Sequence, residues 1–212
     1  MSADPGPLSR AFFAWHARRV HEPRVTRVAA ALARRIGRAS SLLDVGAGDG
    51  TMAVALAGLV GATRVAGVDV RVRPSTAIPI AAHDGATLPF DDASFEVVVL
   101  SDMLHHAADP ERVLRESLRV ASRAVAIKDH FRFGPISAAV LYAMDRAGNA
   151  AASVPSPGSY FTAASFTSLV GRAGGRIASI EWPLRIHDFP LWIVTRDEHQ
   201  FAAAIVRDPP VS

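Results

Sequence analysis

The chain has 212 residues, half of them hydrophobic and a fifth charged, with a formal net charge of +3. That size and apolar content suffice to bury a full core and read most simply as one domain, residues 1–212. The absence of cysteine excludes a thiolate nucleophile, a zinc-thiolate site, an iron-sulfur cluster and a disulfide framework. No apolar run approaches the ~18 residues of a membrane span, and the N-terminus lacks a hydrophobic segment followed by a small-residue cleavage site, so a cytoplasmic location is expected.

The basicity is local. Arg10, Arg18, Arg19, Arg24, Arg27, Arg34, Arg35 and Arg38 all lie in the first forty residues, against Asp4 and Glu22. An arginine-biased, solvated helix face is the expected explanation, with peripheral contact to an anionic membrane as the alternative. Residues 8–36 are predicted to form one or two helices, with Leu8, Phe12 and Trp15 and then Val25, Val28, Ala29, Leu32 and Ile36 at helical spacing, broken near Pro23. Together with the next few residues they make an N-terminal helical cap, 1–40.

From Ser41 the pattern changes to short apolar runs, "SLLDV", "TRVAGVDV", "AIPIAA", "FEVVVLS" and "RAVAIKD", separated by helical stretches. Such alternation predicts a parallel sheet with helical crossovers over a core at 41–130. Only seven residues, Val70 to Thr76, separate the second and third runs, so that crossover is expected to be reduced to a turn.

Asp109 before Pro110 predicts a helix start, with Val113, Leu114 and Leu118 on its buried face and an end near Ala121. Residues 131–161, a helix with Leu141, Tyr142 and Met144 followed by a glycine, proline and serine loop, are expected to be a lid over the substrate. The remainder, 162–212, opens with a helix from Thr162 to Gly174 or Gly175. Next comes "GRIASIEWPLRIHDFPLWIVTRD", read as two antiparallel edge strands joined by a loop carrying Arg185, His187 and Asp188.

Within "SSLLDVGAGDG" a strand ending at Val45 runs into three alternating glycines and then a helix from about Thr51. This places bare backbone and a helix N-terminus at the carboxyl edge of the first strand, a seat for a nucleotide-like ligand. The dinucleotide pattern G-x-G-x-x-G is not met, because the sixth position from Gly46 is Thr51. Asp69 closes the second strand, where an acid can accept hydrogen bonds from both ribose hydroxyls, so the expected ligand is of adenosine type.

"LDVGAGDG", "VAGVDV", "HDGATLPFDDASFEVVVLSDMLHH" and "DPERVLRESLRV", in this order and spacing over about Ser41 to Asp129, resemble the class I S-adenosylmethionine-dependent methyltransferases, specifically the group with small-molecule and quinone methylating enzymes. The resemblance implies an α/β, Rossmann-like doubly wound, mostly parallel seven-stranded sheet with an antiparallel C-terminal edge pair. It also implies S-adenosylmethionine as cofactor and S-adenosylhomocysteine as product. Carried onto matching positions, Asp44, Gly46 and Gly48 line the methionine end and Asp69 is the ribose acid. Asp84 takes the adenine amino group, Gly85 or Ala86 offers backbone to the ring, and Ser101 sits beside the cofactor.

The sulfonium is already a good leaving group, so methyl transfer needs mainly an in-line nucleophile and a place for its proton. His105 and His106 follow the fourth strand while Asp129 and His130 follow the fifth, so all four are expected at one mouth. His106, His130 and His105 are the candidate bases, and Asp129, Tyr142 and Tyr160 the candidate substrate contacts. Lys128, the sole lysine, is expected to reach solvent or pair with an acid. No compact ligand motif supports a metal site.

"SDMLHH" departs from the Asn/Asp-Pro-Pro-aromatic pattern of enzymes that methylate nucleic-acid amino groups, and cytosine C5 methylation needs a cysteine, so nucleic acid is not the expected partner. The expected activity is methyl transfer to an O, N or C atom of a small molecule. The alternatives are a non-methylating relative, acting as a cyclase, regulatory or interaction subunit, or methylation of a lipid or quinone at a membrane surface.

Overall fold

A computed structural model of the chain describes residues 21–149, 159–187 and 196–208. The expected first helix with Arg10, Arg18 and Arg19, the loop at 150–158, and Asp188 lie outside the described residues.

Helix α1 (Glu22–Ile36) carries Pro23 in its first turn, where a missing N–H costs nothing, and the residues on the far side of the break expected near that proline lie outside the described ones. It buries Val25, Val28, Ala29, Leu32 and Ile36. The chain then runs through β1 (Ser41–Val45), α2 (Thr51–Val60), β2 (Arg64–Asp69), β3 (Ile80–Ala82), β4 (Phe95–Ser101), α3 (Pro110–Val120) and β5 (Ala121–His130). It continues through α4 (Gly134–Asn149), α5 (Ala163–Arg172), β6 (Gly175–Glu181) and β7 (Gln200–Arg207). Asp109 caps α3 by accepting from the Arg112 N–H, and Thr162 and Ser165 form a reciprocal capping box on α5.

One seven-stranded sheet has the order β3-β2-β1-β4-β5-β7-β6. Strands β1 to β5 are parallel, and β7 runs antiparallel to both β5 and β6. This is the doubly wound, Rossmann-like architecture expected, with its reduced crossover: no helix lies between β2 and β3. Successive strand residues face opposite layers. Leu43 and Leu100 pack with Leu114 of α3 and Phe166 of α5, while Leu42 and Val99 pack with Leu32 of α1 and Leu56 of α2.

Most of the predicted second strand, "PLWIVT", lies outside the described residues, and the strand that pairs antiparallel with β6 is Gln200–Arg207, after a short 3-10 turn at Asp197–His199. Strand β7 is sandwiched between two neighbours and buried on both faces, so "QFAAAIVR" shows no polar alternation that would mark it as an edge strand. Phe201 anchors it, stacking on Phe131 just past β5 at 4.0 Å and packing on Phe166 at 4.7 Å between centroids.

Gly50 turns the chain from β1 into α2 with φ +82°, and a Cβ there would meet Ile78 Cγ1 at 2.7 Å and its backbone nitrogen at 3.2 Å. Gly50→Ala is therefore expected to cost about 2 kcal/mol, from left-handed strain plus overpacking. A lowered urea midpoint with unchanged m-value checks it.

Candidate active site

A cavity of about 440 Å³ opens at the carboxyl edge of the sheet, where the strand order reverses between β1 and β4. At one end it is floored by Gly46, Ala47, Gly48 and Asp49 of the glycine loop; at the other lie His106, His130, Asp145 and Gln200. Arg24 and Val25 of α1, and Leu141 and Met144 of α4, wall it in. Two ordered helices thus cover what would otherwise be an open sheet edge.

The glycine loop is held by backbone and by one carboxylate. Gly46 and Ala47 both donate to the Val68 carbonyl, at 2.9 and 3.1 Å. Asp69 accepts from the Gly48 N–H at 2.9 Å and from the Arg71 N–H at 2.8 Å. Asp49 accepts from the Thr51 N–H at 3.0 Å at the start of α2. Asp44 is buried, and burial together with the nearby Asp69 and Asp49 charges pushes its carboxyl up to about 7. A buried acid among acids, beside bare backbone, is a site that an amino group would relieve, and this suits the methionine end of S-adenosylmethionine.

The predicted cofactor residues divide into two groups. Asp44, Gly46, Gly48 and Ser101 line the cavity. Asp69, Asp84 and Gly85 lie outside its lining, at the ends of β2 and β3 on the same edge. Asp84 is exposed, and one oxygen of its carboxylate accepts from the Ala86 and Thr87 N–H groups at 2.8 and 2.7 Å. Those bonds hold it well below the usual carboxylate range.

The histidines do converge. His105 is buried, with Nδ1 at 2.6 Å from Asp129 Oδ1 and Nε2 at 3.1 Å from Asp145 Oδ2. Burial opposes charge on the ring, but two carboxylates outweigh it and push the imidazole up to about 10, so both nitrogens donate. Tyr160 donates its hydroxyl to the same Asp145 oxygen at 2.6 Å, and His106 Nε2 lies 3.7 Å from it. Burial and Lys128 push His130 down to about 4, so it is neutral. Its Nδ1 is buried without a hydrogen bond among the described residues.

Of the three predicted substrate contacts, Asp129 is fully buried behind His105, Tyr160 is buried against Asp145, and Tyr142 is exposed on α4 beside Arg146. None lines the cavity. His105, Asp129 and His130 are metal-ligand types, as are His105, His106 and Asp145. The 2.6 Å contact between His105 and Asp129 is nevertheless a hydrogen bond, since two atoms on one tetrahedral zinc stand about 3.3 Å apart.

Sequence reasoning missed the ionic floor of the cavity. Asp102, at φ +53° just past β4, is bound through one oxygen by Lys128 and through the other by Arg24 of α1. Lys128 is fully buried, which settles its expected alternatives in favour of a paired acid. The one available signal was a lone lysine inside a buried strand. His187, pushed down to about 4 by burial, Arg24 and Lys128, and Gln200 also reach the cavity without having been singled out as site residues. On α1, Arg34 and Arg35 engage Glu181 at 2.8 and 3.9 Å. No described helix is long and apolar enough to cross a membrane.

The His105 charge gives a pH signature. Its folded value of about 10 lies above the ordinary 6.5, so its stabilisation is complete below pH 6.5 and is lost as pH rises through 10. The stability advantage of the wild type over His105→Gln is expected to shrink steadily over that window. Urea unfolding of both proteins at several pH values measures it.

Residues 43–124 match the family model described as a methyltransferase domain. Among solved structures, the chain is similar to the protein solved in complex with the Haloferax volcanii Trm112 methyltransferase activator, at 17% identity and TM-score 0.69, over 95% of this chain and 96% of that one. It is similar to Burkholderia thailandensis 1,6-didemethyltoxoflavin-N1-methyltransferase, solved with 1,6-didemethyltoxoflavin and S-adenosylhomocysteine, at 17% identity and TM-score 0.63, over 99% and 93%. It also resembles the [4+2]-cyclase SpnF, at 16% identity and TM-score 0.60, over 87% and 81%. The matched segment and the sheet order together give the chain the Rossmann-like methyltransferase fold.

Proposed function

We propose that this protein transfers a methyl group from S-adenosylmethionine to an O or N atom of a small molecule enclosed beneath α1 and α4, with His106 as proton acceptor. The observation that carries the reading is the shared cavity, with the glycine loop at one end and His106, His130 and Asp145 at the other. A chamber of about 440 Å³ walled by two helices suits a small acceptor rather than a polymer chain.

The choice among the three histidines follows from their surroundings. His105 is held as an imidazolium and has no lone pair to offer. His130 is neutral, but a value of about 4 makes it a weak base toward a hydroxyl or ammonium. His106 lines the cavity, and the Asp145 carboxylate beside it can stabilise the imidazolium formed when it takes a proton. Asp44 and the glycine loop hold the donor's methionine end, Asp69 its ribose, and Asp84 with Gly85 its adenine. The rate then comes largely from holding the nucleophile about 3 Å from the methyl carbon in line with sulfur.

The test is incubation with S-adenosylmethionine and a collection of small hydroxylated and amino compounds, reading S-adenosylhomocysteine formation and product mass. On the acceptor so identified, His106→Gln is expected to lower kcat by about 100-fold or more with S-adenosylhomocysteine affinity unchanged. Cofactor binding without turnover of any compound would favour a non-methylating role, such as that of the similar cyclase.

A further inference from the structure

We propose that Asp145 is the acceptor-anchoring residue of this site, so that acceptors must present a hydrogen-bond donor, a hydroxyl or an amine, to its carboxylate. The inference rests on the methyl-transfer reading above and deepens it. Asp145 is carried by α4, lines the cavity, and keeps its side chain 17% exposed there. Among the described residues its polar contacts all go to one oxygen: His105 Nε2 at 3.1 Å, the Tyr160 hydroxyl at 2.6 Å and His106 Nε2 at 3.7 Å. The other oxygen, Oδ1, has no partner among the described residues.

The arrangement fixes a carboxylate rather than a carboxylic acid. Burial favours the neutral form, but the hydrogen bonds from His105 and Tyr160 outweigh it and hold Asp145 below its ordinary range. A carboxylate so stabilised is a poor base and a good hydrogen-bond acceptor. His105 links it to Asp129, itself fully buried, so the anchor cannot swing without breaking a chain that runs from α4 into the sheet.

The cavity around it decides the ligand's sign. Arg24 is committed to Asp102, and Arg73 faces Asp49 at 3.4 Å. His130 and His187 are neutral. An acceptor with a carboxylate near Asp145 would meet a like charge in a confined site, whereas a hydroxyl or an amine would complete the open oxygen. His106, 3.7 Å from the same carboxylate, is then placed beside the bound donor group.

The test titrates four single-ring fragments of seven to nine heavy atoms into the S-adenosylhomocysteine-loaded protein by ligand-observed NMR: phenol against anisole, and benzylamine against benzoate. Phenol and benzylamine are expected to bind at least tenfold tighter than their counterparts, and Asp145→Asn is expected to bring the benzylamine-to-benzoate ratio close to one. Tyr160→Phe, which keeps the carboxylate, should retain the preference. Should Asp145→Asn not fold, as judged by S-adenosylhomocysteine binding, Asp145→Ala serves in its place. Equal binding of each pair, a preference that survives loss of the carboxylate, a preference lost in Tyr160→Phe as well, or no binding of any fragment would each overturn the proposal. Failure of the wild type to bind S-adenosylhomocysteine would instead count against the cofactor reading beneath it.

Discussion

Lys128→Met is expected to destabilise the protein by about 4 kcal/mol, the largest stability loss predicted for this chain. Lys128 is fully buried on β5, and its ammonium binds one oxygen of Asp102. Burial and the Arg24 guanidinium pull the ammonium below its ordinary value, while Asp102 works against them. Burial likewise disfavours the Asp102 charge, but Lys128 and Arg24 outweigh it and hold the carboxylate far below its usual range. Removing one member of such a pair leaves a buried charge poorly compensated, which typically costs about 3–5 kcal/mol.

Arg24 remains in the single variant, but its side chain is 26% exposed and replaces only part of what the buried ammonium supplied. The double variant Lys128→Met/Asp102→Asn removes both charges, and it is expected to recover more than half of the loss. Asparagine also tolerates the left-handed backbone that position 102 adopts at φ +53°. Chemical unfolding of wild type, both single variants and the double variant forms a cycle. A double variant no more stable than Lys128→Met would show that the lysine acts by packing rather than by charge.

The parallel strands were legible because burial on both faces writes them as unbroken apolar runs: "SLLDV" is β1, "FEVVVLS" is β4 and "RAVAIKD" lies within β5. The glycine turn was legible for a related reason, since left-handed backbone at Gly46, Gly48 and Gly50 demands that residue type. The strand β7 was not, because "QFAAAIVR" is rich in alanine and its role depends on β5 and β6 lying on either side. Within the site, strand ends predicted that His105, His106 and His130 would meet. They could not predict that Asp145 would lean in from α4, 40 residues beyond His105, or that Arg24 would reach Asp102 across 78 residues. Those contacts are products of helix packing and leave no local periodicity.

Asp69→Ala is expected to weaken S-adenosylhomocysteine binding by about 100-fold or more, and the same side chain is expected to matter before any ligand arrives. Each carboxylate oxygen has two acceptor positions. One oxygen already takes the Gly48 N–H at 2.9 Å and the other the Arg71 N–H at 2.8 Å, which leaves two positions for two ribose hydroxyls. Charge-assisted hydrogen bonds are worth about 1.5–3 kcal/mol each, so losing a pair accounts for the fold-change. The truncation also frees the Gly48 amide, so part of the lost affinity reflects a glycine loop that must be ordered on binding. Asp69→Asn separates the two effects, because an amide keeps one accepting oxygen and turns two donors toward backbone N–H groups. Amide hydrogen exchange at Gly48 in the ligand-free protein is expected to be faster in both variants than in wild type. Calorimetry should then rank binding as wild type, Asp69→Asn, Asp69→Ala. Unchanged affinity in Asp69→Ala would remove the ribose assignment and leave Asp69 as a fastening for the loop alone.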